Sequence, residues 1–218
     1  MDQLEIPRVV ITTRCNLSCA YCAGPKQKIK EVSVDRWVHV LKKPEYRKII
    51  FTGGEPLAYT RIYELIHLLE KPCEIYTNLE IWKEDAILKL PKETVFNISL
   101  HDQTKDSRKF AAKLKDLSSR YRISLHRVKK HAEMMANRPG IKGYDITVSK
   151  DQQILRMNKE PHFCHIKRVL YGPDSKRYPC CALMGISPIT EDPYYGTICK
   201  SPRCLPCDLF GQENSDGV

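Results

Sequence analysis

The feature that most constrains the fold is a regular alternation of apolar, β-branched segments with amphipathic helical segments along residues 7–148. The predicted strands are 7–13, 47–52, 74–77, 94–100, 122–128 and 144–148. The first predicted helix is capped by Ser33 and has Trp37, Val40 and Leu41 at helical spacing. The next helices are predicted to begin near Thr60 and to span 82–90 and 106–121, the last of them basic. Strands that alternate with helices form parallel sheets with right-handed crossovers. Periodicity alone does not separate an open sheet from a barrel. In either case functional loops are expected at the carboxyl ends of the strands.

A cysteine loop directly follows the first predicted strand. Cys15, Cys19 and Cys22 have the spacing C-x3-C-x2-C. Three thiolates on one short loop can converge on one metal centre, and thiolates suit iron–sulfur clusters or zinc. Three protein ligands rather than four leave a coordination position open, as in catalytic metal sites. A structural zinc loop, or three unrelated thiols, is the alternative.

A Gly-Gly-Glu-Pro segment, Gly53 to Pro56, directly follows the second predicted strand. Glycines allow the backbone to approach a ligand without a Cβ clash. Glu55 offers a hydrogen-bond acceptor for an ammonium group. The alternative is a simple Gly-Gly turn.

Together these two motifs, with Tyr21 just before the third cysteine, resemble the radical S-adenosylmethionine (radical SAM) superfamily. The resemblance implies that Cys15, Cys19 and Cys22 hold a [4Fe–4S] cluster whose fourth iron binds S-adenosylmethionine. Reduction would split this cofactor into a 5′-deoxyadenosyl radical that abstracts hydrogen from a substrate C–H bond. The resemblance also implies oxygen sensitivity, an electron donor of flavodoxin or ferredoxin type, and a partial (β/α)6 TIM-like barrel over residues 1–155.

Further residues are placed at the cofactor by the same resemblance. The expected cofactor-binding set is Tyr21, Gly53, Gly54, Glu55, Asn78, Ser99 and Arg127. Asn78 lies where the family often has Thr-Asn-Gly, but Leu79 replaces the glycine, so a different turn is expected. The Ser99 hydroxyl could donate to the cofactor carboxylate or ribose, or only cap the next helix. Arg127 could pair with the carboxylate, or lie on the surface.

The catalytic residue is left unassigned, with His101 as the candidate proton donor or substrate contact because it adjoins a strand end. For His101, as for His126 and His131, an ordinary histidine is the alternative.

The strand–helix alternation stops near Pro161, and six of the ten cysteines follow: Cys164, Cys180, Cys181, Cys199, Cys204 and Cys207. A β-hairpin with a Pro-Asp turn is predicted between the first two of them. Two cysteines flanking a hairpin and a C-x2-C pair can close one four-thiolate site. Cys73 stands apart and is expected to be a buried free cysteine.

This tail resembles the twitch form of the auxiliary-cluster extension of radical SAM enzymes rather than the larger SPASM form. The resemblance implies a cysteine-rich extension over residues 156–218 that binds an auxiliary [4Fe–4S] cluster. The expected ligands are Cys164, Cys180, Cys204 and Cys207, and either Cys181 or Cys199 could replace one of them. A structural zinc in the same four thiolates is the alternative.

Composition narrows the class of protein. The chain has 218 residues, of which 42% are hydrophobic, enough for a core. No apolar run is long enough for a membrane span, and the N-terminus lacks an apolar signal segment. Ten cysteines in that context argue for metal sites in a reducing cytoplasm rather than for disulfides.

The formal net charge of +10 favours an anionic partner such as a nucleic acid, a nucleotide or an acidic peptide. Residues 101–142 carry twelve Lys/Arg against four Asp/Glu. A solvated outer helix is the alternative explanation of that excess. The predicted substrate is a nucleotide or nucleic acid. The alternatives are a peptide-modifying maturase, which forms epimers or thioethers, and a non-catalytic iron–sulfur or zinc protein that binds nucleic acid.

Overall fold

The computed structural model describes residues 6–19, 28–100, 107–128, 146–149, 156–157, 162–163, 170–178, 198–199 and 203–204. The strands in these ranges are β1 (Arg8–Thr12), β2 (Ile49–Gly53), β3 (Cys73–Thr77), β4 (Val95–Leu100), β5 (Arg122–Val128), β6 (Ile146–Ser149), β7 (Arg156–Met157), β8 (His162–Phe163), β9 (Leu170–Tyr171), β10 (Arg177–Tyr178), β11 (Ile198–Cys199) and β12 (Arg203–Cys204). The helices are α1 (Val34–Leu41), α2 (Ile62–Leu69), α3 (Glu84–Ile87) and α4 (Ser107–Ser118), with a 3₁₀ helix at Pro56–Ala58.

Eight strands form one sheet in the order β10-β9-β1-β2-β3-β4-β5-β6. Strands β1 to β6 are parallel and neighbour one another in chain order. Phe51 of β2, for example, is opposite Val9 on one side and Ile75 on the other. This confirms the predicted α/β class. Because the six strands run the same way, their carboxyl ends share one edge of the sheet, where the loops can form a site.

The first two helices begin and pack as the sequence pattern predicts. Ser33 caps α1, because its hydroxyl oxygen accepts a hydrogen bond from the backbone N–H of Arg36 at 3.3 Å. The buried face of α1 is Val34, Trp37, Val40 and Leu41, and that of α2 includes Ile62, Leu65, Ile66 and Leu69. Full burial of each such side chain stabilises the fold by about 1.5–3 kcal/mol.

Helix α3 is shorter than the predicted helix over 82–90. It has four residues, and Ile87 is its one buried side chain. Beyond it, Lys89 N–H bonds to Ala86 O at 3.3 Å and Leu90 N–H bonds to Ile87 O at 3.1 Å. These i→i+3 bonds tighten the chain into turns before Pro91, which cannot continue a helix.

The predicted hairpin is confirmed. β9 and β10 are antiparallel, and β9 lies parallel to β1 at the edge of the main sheet. The buried hydroxyl of Tyr171 bonds to that of Tyr46 at 2.9 Å, and its ring meets Trp37 edge-on at 6.5 Å. Arg36 Nε donates to Ser175 Oγ at 3.1 Å. The hairpin therefore covers the β1 edge and belongs to the same core.

Helix α4 buries Phe110, Leu114 and Leu117 against the sheet. Its basic residues Arg108, Lys109 and Lys115 are exposed, which suits a solvated outer face as well as an anionic partner. Within the part of the chain that the structure describes, no helix is long and apolar enough to cross a membrane.

Candidate functional site

The cysteine loop leaves the end of β1 at the carboxyl edge of the sheet. Cys15 is exposed and Cys19 partly exposed, and neither is in a disulfide. The backbone N–H of Leu17 donates to Cys15 Sγ at 3.4 Å. Such a donor favours the thiolate, which is the form that binds metal. Tyr21 and Cys22 lie outside the described residues.

An ion pair closes the base of this loop. Arg14 Nε and Nη2 each donate to one oxygen of Glu31 at 2.8 Å, and the Thr12 hydroxyl also donates to Glu31. Bidentate guanidinium–carboxylate pairs fix geometry as well as adding energy. Sequence reasoning missed this pair, because Glu31 lies in an irregular connection with no local motif around it.

The two glycines bring the Gly-Gly-Glu-Pro segment against the backbone of the cysteine loop. Gly54 N–H bonds to Thr12 O, and Glu55 N–H bonds to Arg14 O, both at 2.8 Å. A Cβ on Gly54 would lie 2.2 Å from Arg14 O, and one on Gly53, whose φ is +149°, would lie 2.4 Å from Thr12 O. The sequence predicted close approach to a ligand. In the structure the close approach is between two protein loops.

The Glu55 carboxylate is occupied by protein donors. Its side chain is buried, and Oε1 accepts from Leu57 N–H at 3.0 Å and from the Thr77 hydroxyl at 2.6 Å. Oε2 accepts from Asn78 N–H at 2.7 Å. Burial raises the pKa of Glu55, against the lowering effect of these three hydrogen bonds. The expected role of Glu55 as acceptor for an ammonium group stays a prediction beside these protein contacts.

Asn78 reaches from the end of β3 to the cysteine loop. Its Nδ2 donates to Asn16 Oδ1 at 3.0 Å and lies 4.0 Å from Cys15 Sγ. Its Oδ1 accepts from Glu80 N–H at 2.9 Å. The three expected site residues Cys15, Glu55 and Asn78 thus form one connected cluster, and Asn16 is a member that the sequence did not single out.

Leu79 takes the left-handed conformation that favours glycine, with φ of +59°, although its side chain is fully buried. The replacement of the family's glycine therefore does not remove a left-handed turn. Lys113 of α4 donates to Leu79 O at 3.1 Å and to Glu80 O at 3.2 Å. Sequence reasoning had assigned Lys113 to a surface charge cluster.

Of the other predicted site residues, some have a known position in a strand and the rest lie outside the described residues. Ser99, partly exposed at the end of β4, is opposite His126, and Leu100 is opposite Arg127 of β5. His101 lies outside the described residues, as do Cys164, Cys180 and Cys207. Cys204 lies in β12, whose partner is β7. Among the described side chains, no three His, Cys, Asp or Glu residues converge as metal ligands.

The described part of the cysteine loop fits an iron–sulfur cluster. Cys15 and Cys19 are thiols outside any disulfide with access to solvent, and Cys15 Sγ receives an N–H donor. Hydrogen bonds to ligand sulfurs are the usual surroundings of such clusters. A rigid loop base and a neighbouring glycine segment hold these thiols at the carboxyl edge of the sheet, where α/β folds bind their ligands.

Curated relatives match parts of the chain. The GTP 3′,8-cyclase of Clostridium botulinum (strain Okra / Type B1) is 36% identical over 115 residues, which cover 46% of this chain and 36% of the relative. The PqqA peptide cyclase of Gluconobacter oxydans (strain 621H) is 33% identical over 75 residues, covering 32% of this chain and 21% of the relative. The chain thus spans about a third of the length of the first of these relatives.

Solved structures share the fold. Streptococcus suis SuiB bound to S-adenosylmethionine has a TM-score of 0.53 at 12% identity, covering 88% of this chain and 63% of that chain. SuiB bound to its precursor peptide SuiA has a TM-score of 0.52 at 12% identity, covering 88% and 62%.

A sequence model of the Radical SAM superfamily matches residues 9–146, which contain the cysteine loop, the glycine segment and Asn78. That match covers more than half of the chain. The chain therefore belongs to the radical SAM superfamily.

Proposed function

We propose that Cys15, Cys19 and Cys22 bind a [4Fe–4S] cluster and that the chain is an enzyme that cleaves S-adenosylmethionine reductively. When bound, the cluster supplies the electron that splits the cofactor into methionine and a 5′-deoxyadenosyl radical, which takes hydrogen from a substrate C–H bond. The observation that carries this proposal is the contact between the cysteine loop and the Gly-Gly-Glu-Pro segment at the carboxyl edge of a superfamily sheet.

The chain's own share is to bind, to orient and to exclude water. The backbone of Gly53 to Glu55 would seat the methionyl end of the cofactor. Ser99 and Arg127 lie at neighbouring strand ends, where a hydroxyl and a guanidinium suit a ribose and a carboxylate. Tyr21 would lie near the adenine, and His101 is the candidate substrate contact.

Electron paramagnetic resonance of the anaerobically reconstituted, dithionite-reduced protein tests cofactor binding. S-adenosylmethionine is expected to change the spectrum of the reduced cluster in the wild type. The variant Cys19→Ala is expected to lose the part of the spectrum that responds to S-adenosylmethionine, while any signal of an auxiliary cluster would remain. A response to S-adenosylmethionine that persists in Cys19→Ala, or that is absent from the wild type, would contradict the proposal.

For the substrate we favour a nucleotide or nucleic acid. The net charge of +10 and the exposed basic residues of α4 favour an anionic partner. The relative named GTP 3′,8-cyclase is, by its name, a nucleotide enzyme. Binding of GTP and of single-stranded RNA should weaken steeply as salt increases. Absence of salt-sensitive affinity for either would remove this substrate class.

A peptide is the second candidate. The relative named PqqA peptide cyclase and the fold shared with peptide-bound SuiB are the observations in its favour. A candidate peptide should speed the release of 5′-deoxyadenosine, and its own mass should fall by the hydrogen that it loses. That result would support a peptide substrate over a nucleotide.

We also propose a partial (β/α)6 barrel over residues 1–155 and an auxiliary-cluster extension over 156–218. Cys164, Cys180, Cys204 and Cys207 are its expected ligands. The hairpin between the first two is part of the main sheet, so such a site would be tied to the barrel edge. Metal analysis separates iron from the zinc alternative. A flavodoxin- or ferredoxin-type donor and a cytoplasmic location belong to the same proposal.

A further inference from the structure

Asn78 and Glu55 were expected at the cofactor, but their polar atoms bond to protein. Glu55 is 1% exposed and Asn78 is 5% exposed. We propose that Asn78 is a positioning residue that holds the Cys15–Asn16 turn, and that Glu55 in turn fixes Asn78. This inference rests on the proposed function, in which that turn carries a cluster ligand.

The orientation of the Asn78 amide is fixed by its neighbours. Glu80 N–H points at one polar atom of the amide, at 2.9 Å, so that atom must be the oxygen. The NH₂ group therefore faces Asn16 Oδ1 at 3.0 Å and the sulfur of Cys15 at 4.0 Å. Both ends of the amide are then in use inside the protein.

Glu55 and Asn78 hold the cysteine loop on both sides of Cys15. Before Cys15, Arg14 O accepts from Glu55 N–H at 2.8 Å. After Cys15, Asn16 Oδ1 accepts from Asn78 Nδ2 at 3.0 Å. The Glu55 carboxylate joins the two holds, because it accepts from Asn78 N–H at 2.7 Å. We call these two residues the buried brace.

The buried brace has two consequences for a cluster. It would hold Cys15 in place as a cluster ligand, and it keeps N–H donors near that sulfur. Donors beside a ligand sulfur stabilise the more negative, reduced state of a cluster. Weakening the buried brace should loosen the loop and shift the midpoint potential to a more negative value.

Two variants weaken the brace without adding charge. In Asn78→Ser the hydroxyl can still accept from Glu80 N–H, but it is too short to reach Asn16. Asn16→Ala removes the acceptor at an exposed position, where folding is not at risk. Asn97→Ser is the matched control, because Asn97 is a buried amide within β4 whose Nδ2 donates to Glu74 of β3 at 3.5 Å.

The first measurement is amide hydrogen exchange of the loop in the metal-free protein. Leu17 N–H should exchange about fivefold faster in Asn78→Ser and in Asn16→Ala, which is the effect of one lost hydrogen bond. Its exchange rate in Asn97→Ser should equal that of the wild type. Unchanged exchange in the first two variants overturns the proposal, whatever the protein binds.

The second measurement is a redox titration of the reconstituted protein, monitored by the EPR signal that responds to S-adenosylmethionine, so that an auxiliary cluster is not counted. A midpoint potential that is more negative than wild type in Asn78→Ser and Asn16→Ala, and equal to wild type in Asn97→Ser, supports the proposal. An unshifted potential in the first two variants overturns the claim that the buried brace acts on the cluster. If exchange accelerates but the wild type assembles no cluster, the proposed function fails while the hold on the turn stands.

Discussion

Thr77 Oγ1 donates a 2.6 Å hydrogen bond to Glu55 Oε1 and so joins the carboxyl ends of β3 and β2 beneath the cysteine loop. The same carboxylate accepts two backbone N–H groups, from Leu57 and Asn78. Its two oxygens thus serve three donors in a buried place, which makes Glu55 a structural centre of the site.

The ionisation of Glu55 should make stability depend on pH. Burial raises its pKa in the folded state above the value of 4.5 expected in the unfolded chain. Its contribution to stability is therefore fully present below pH 4.5 and is lost as pH rises through the folded pKa. The free energy of unfolding, measured by denaturant at a series of pH values, should show this loss.

The variant Glu55→Gln provides the reference, because its amide does not titrate. Its NH₂ must face one backbone N–H, so at low pH the variant should be less stable than the wild type by about 1–3 kcal/mol from that unpaired donor. The stability advantage of the wild type should shrink as pH rises above 4.5. An advantage that grows with pH would mean that the pKa is lowered, contrary to the burial argument.

At Leu79 we expect the reverse of the usual stability order, in which an alanine variant is more stable than a glycine variant. Both Leu79→Ala and Leu79→Gly lose a fully buried side chain, at a cost of about 2–5 kcal/mol. Only glycine relieves the left-handed backbone, which costs other residues about 1–2 kcal/mol. Chemical denaturation should therefore find Leu79→Gly at least as stable as Leu79→Ala. A glycine variant that is clearly the weaker would contradict the strain.

Lys113 should stabilise the turn that presents Asn78. Burial lowers the pKa of Lys113, but its ammonium still donates to Leu79 O and Glu80 O. Lys113→Met keeps the apolar stem and removes both bonds, so the free energy of unfolding should fall by about 1 kcal/mol. Lys115→Met, an exposed position on the same helix, is the control and should change nothing. Equal effects in both variants would argue against the two bonds.

Gly54 should tolerate no side chain. In Gly54→Ala the Cβ would lie 2.2 Å from Arg14 O and 2.8 Å from Thr13 O, both backbone atoms. The cysteine loop must then move away, and the Glu55 N–H to Arg14 O bond is lost. We expect less iron bound per chain after reconstitution, measured by metal analysis. Wild-type iron content in this variant would show that the loop contact is not needed for assembly.

Much of the fold could be predicted because local pattern and tertiary structure agree. The spacing of Trp37, Val40 and Leu41 predicted a helix, and those side chains are buried. Helix α3 departed from the prediction because the predicted segment passes into i→i+3 turns before Pro91 instead of continuing as an α-helix.

The sequence predicted where two residues of the candidate site lie, but not which groups their side chains bind. The sequence could place Glu55 and Asn78 at adjacent strand ends. It could not show that each is bonded to protein, because Thr77 and Asn16 reach them only through the fold. Glu31 and Lys113 carry no motif, so no sequence signal marked them.

The most direct test of the central claim is formation of 5′-deoxyadenosine from S-adenosylmethionine by the reconstituted, dithionite-reduced protein. The wild type should form it and Cys19→Ala should not. Cys73→Ala is the matched control, because burial raises the pKa of the Cys73 thiol to about 12 and keeps it from acting as a thiolate ligand. The account predicts that the wild type and Cys73→Ala both form 5′-deoxyadenosine and that Cys19→Ala does not. Product from Cys19→Ala, or none from the reconstituted wild type, would contradict it.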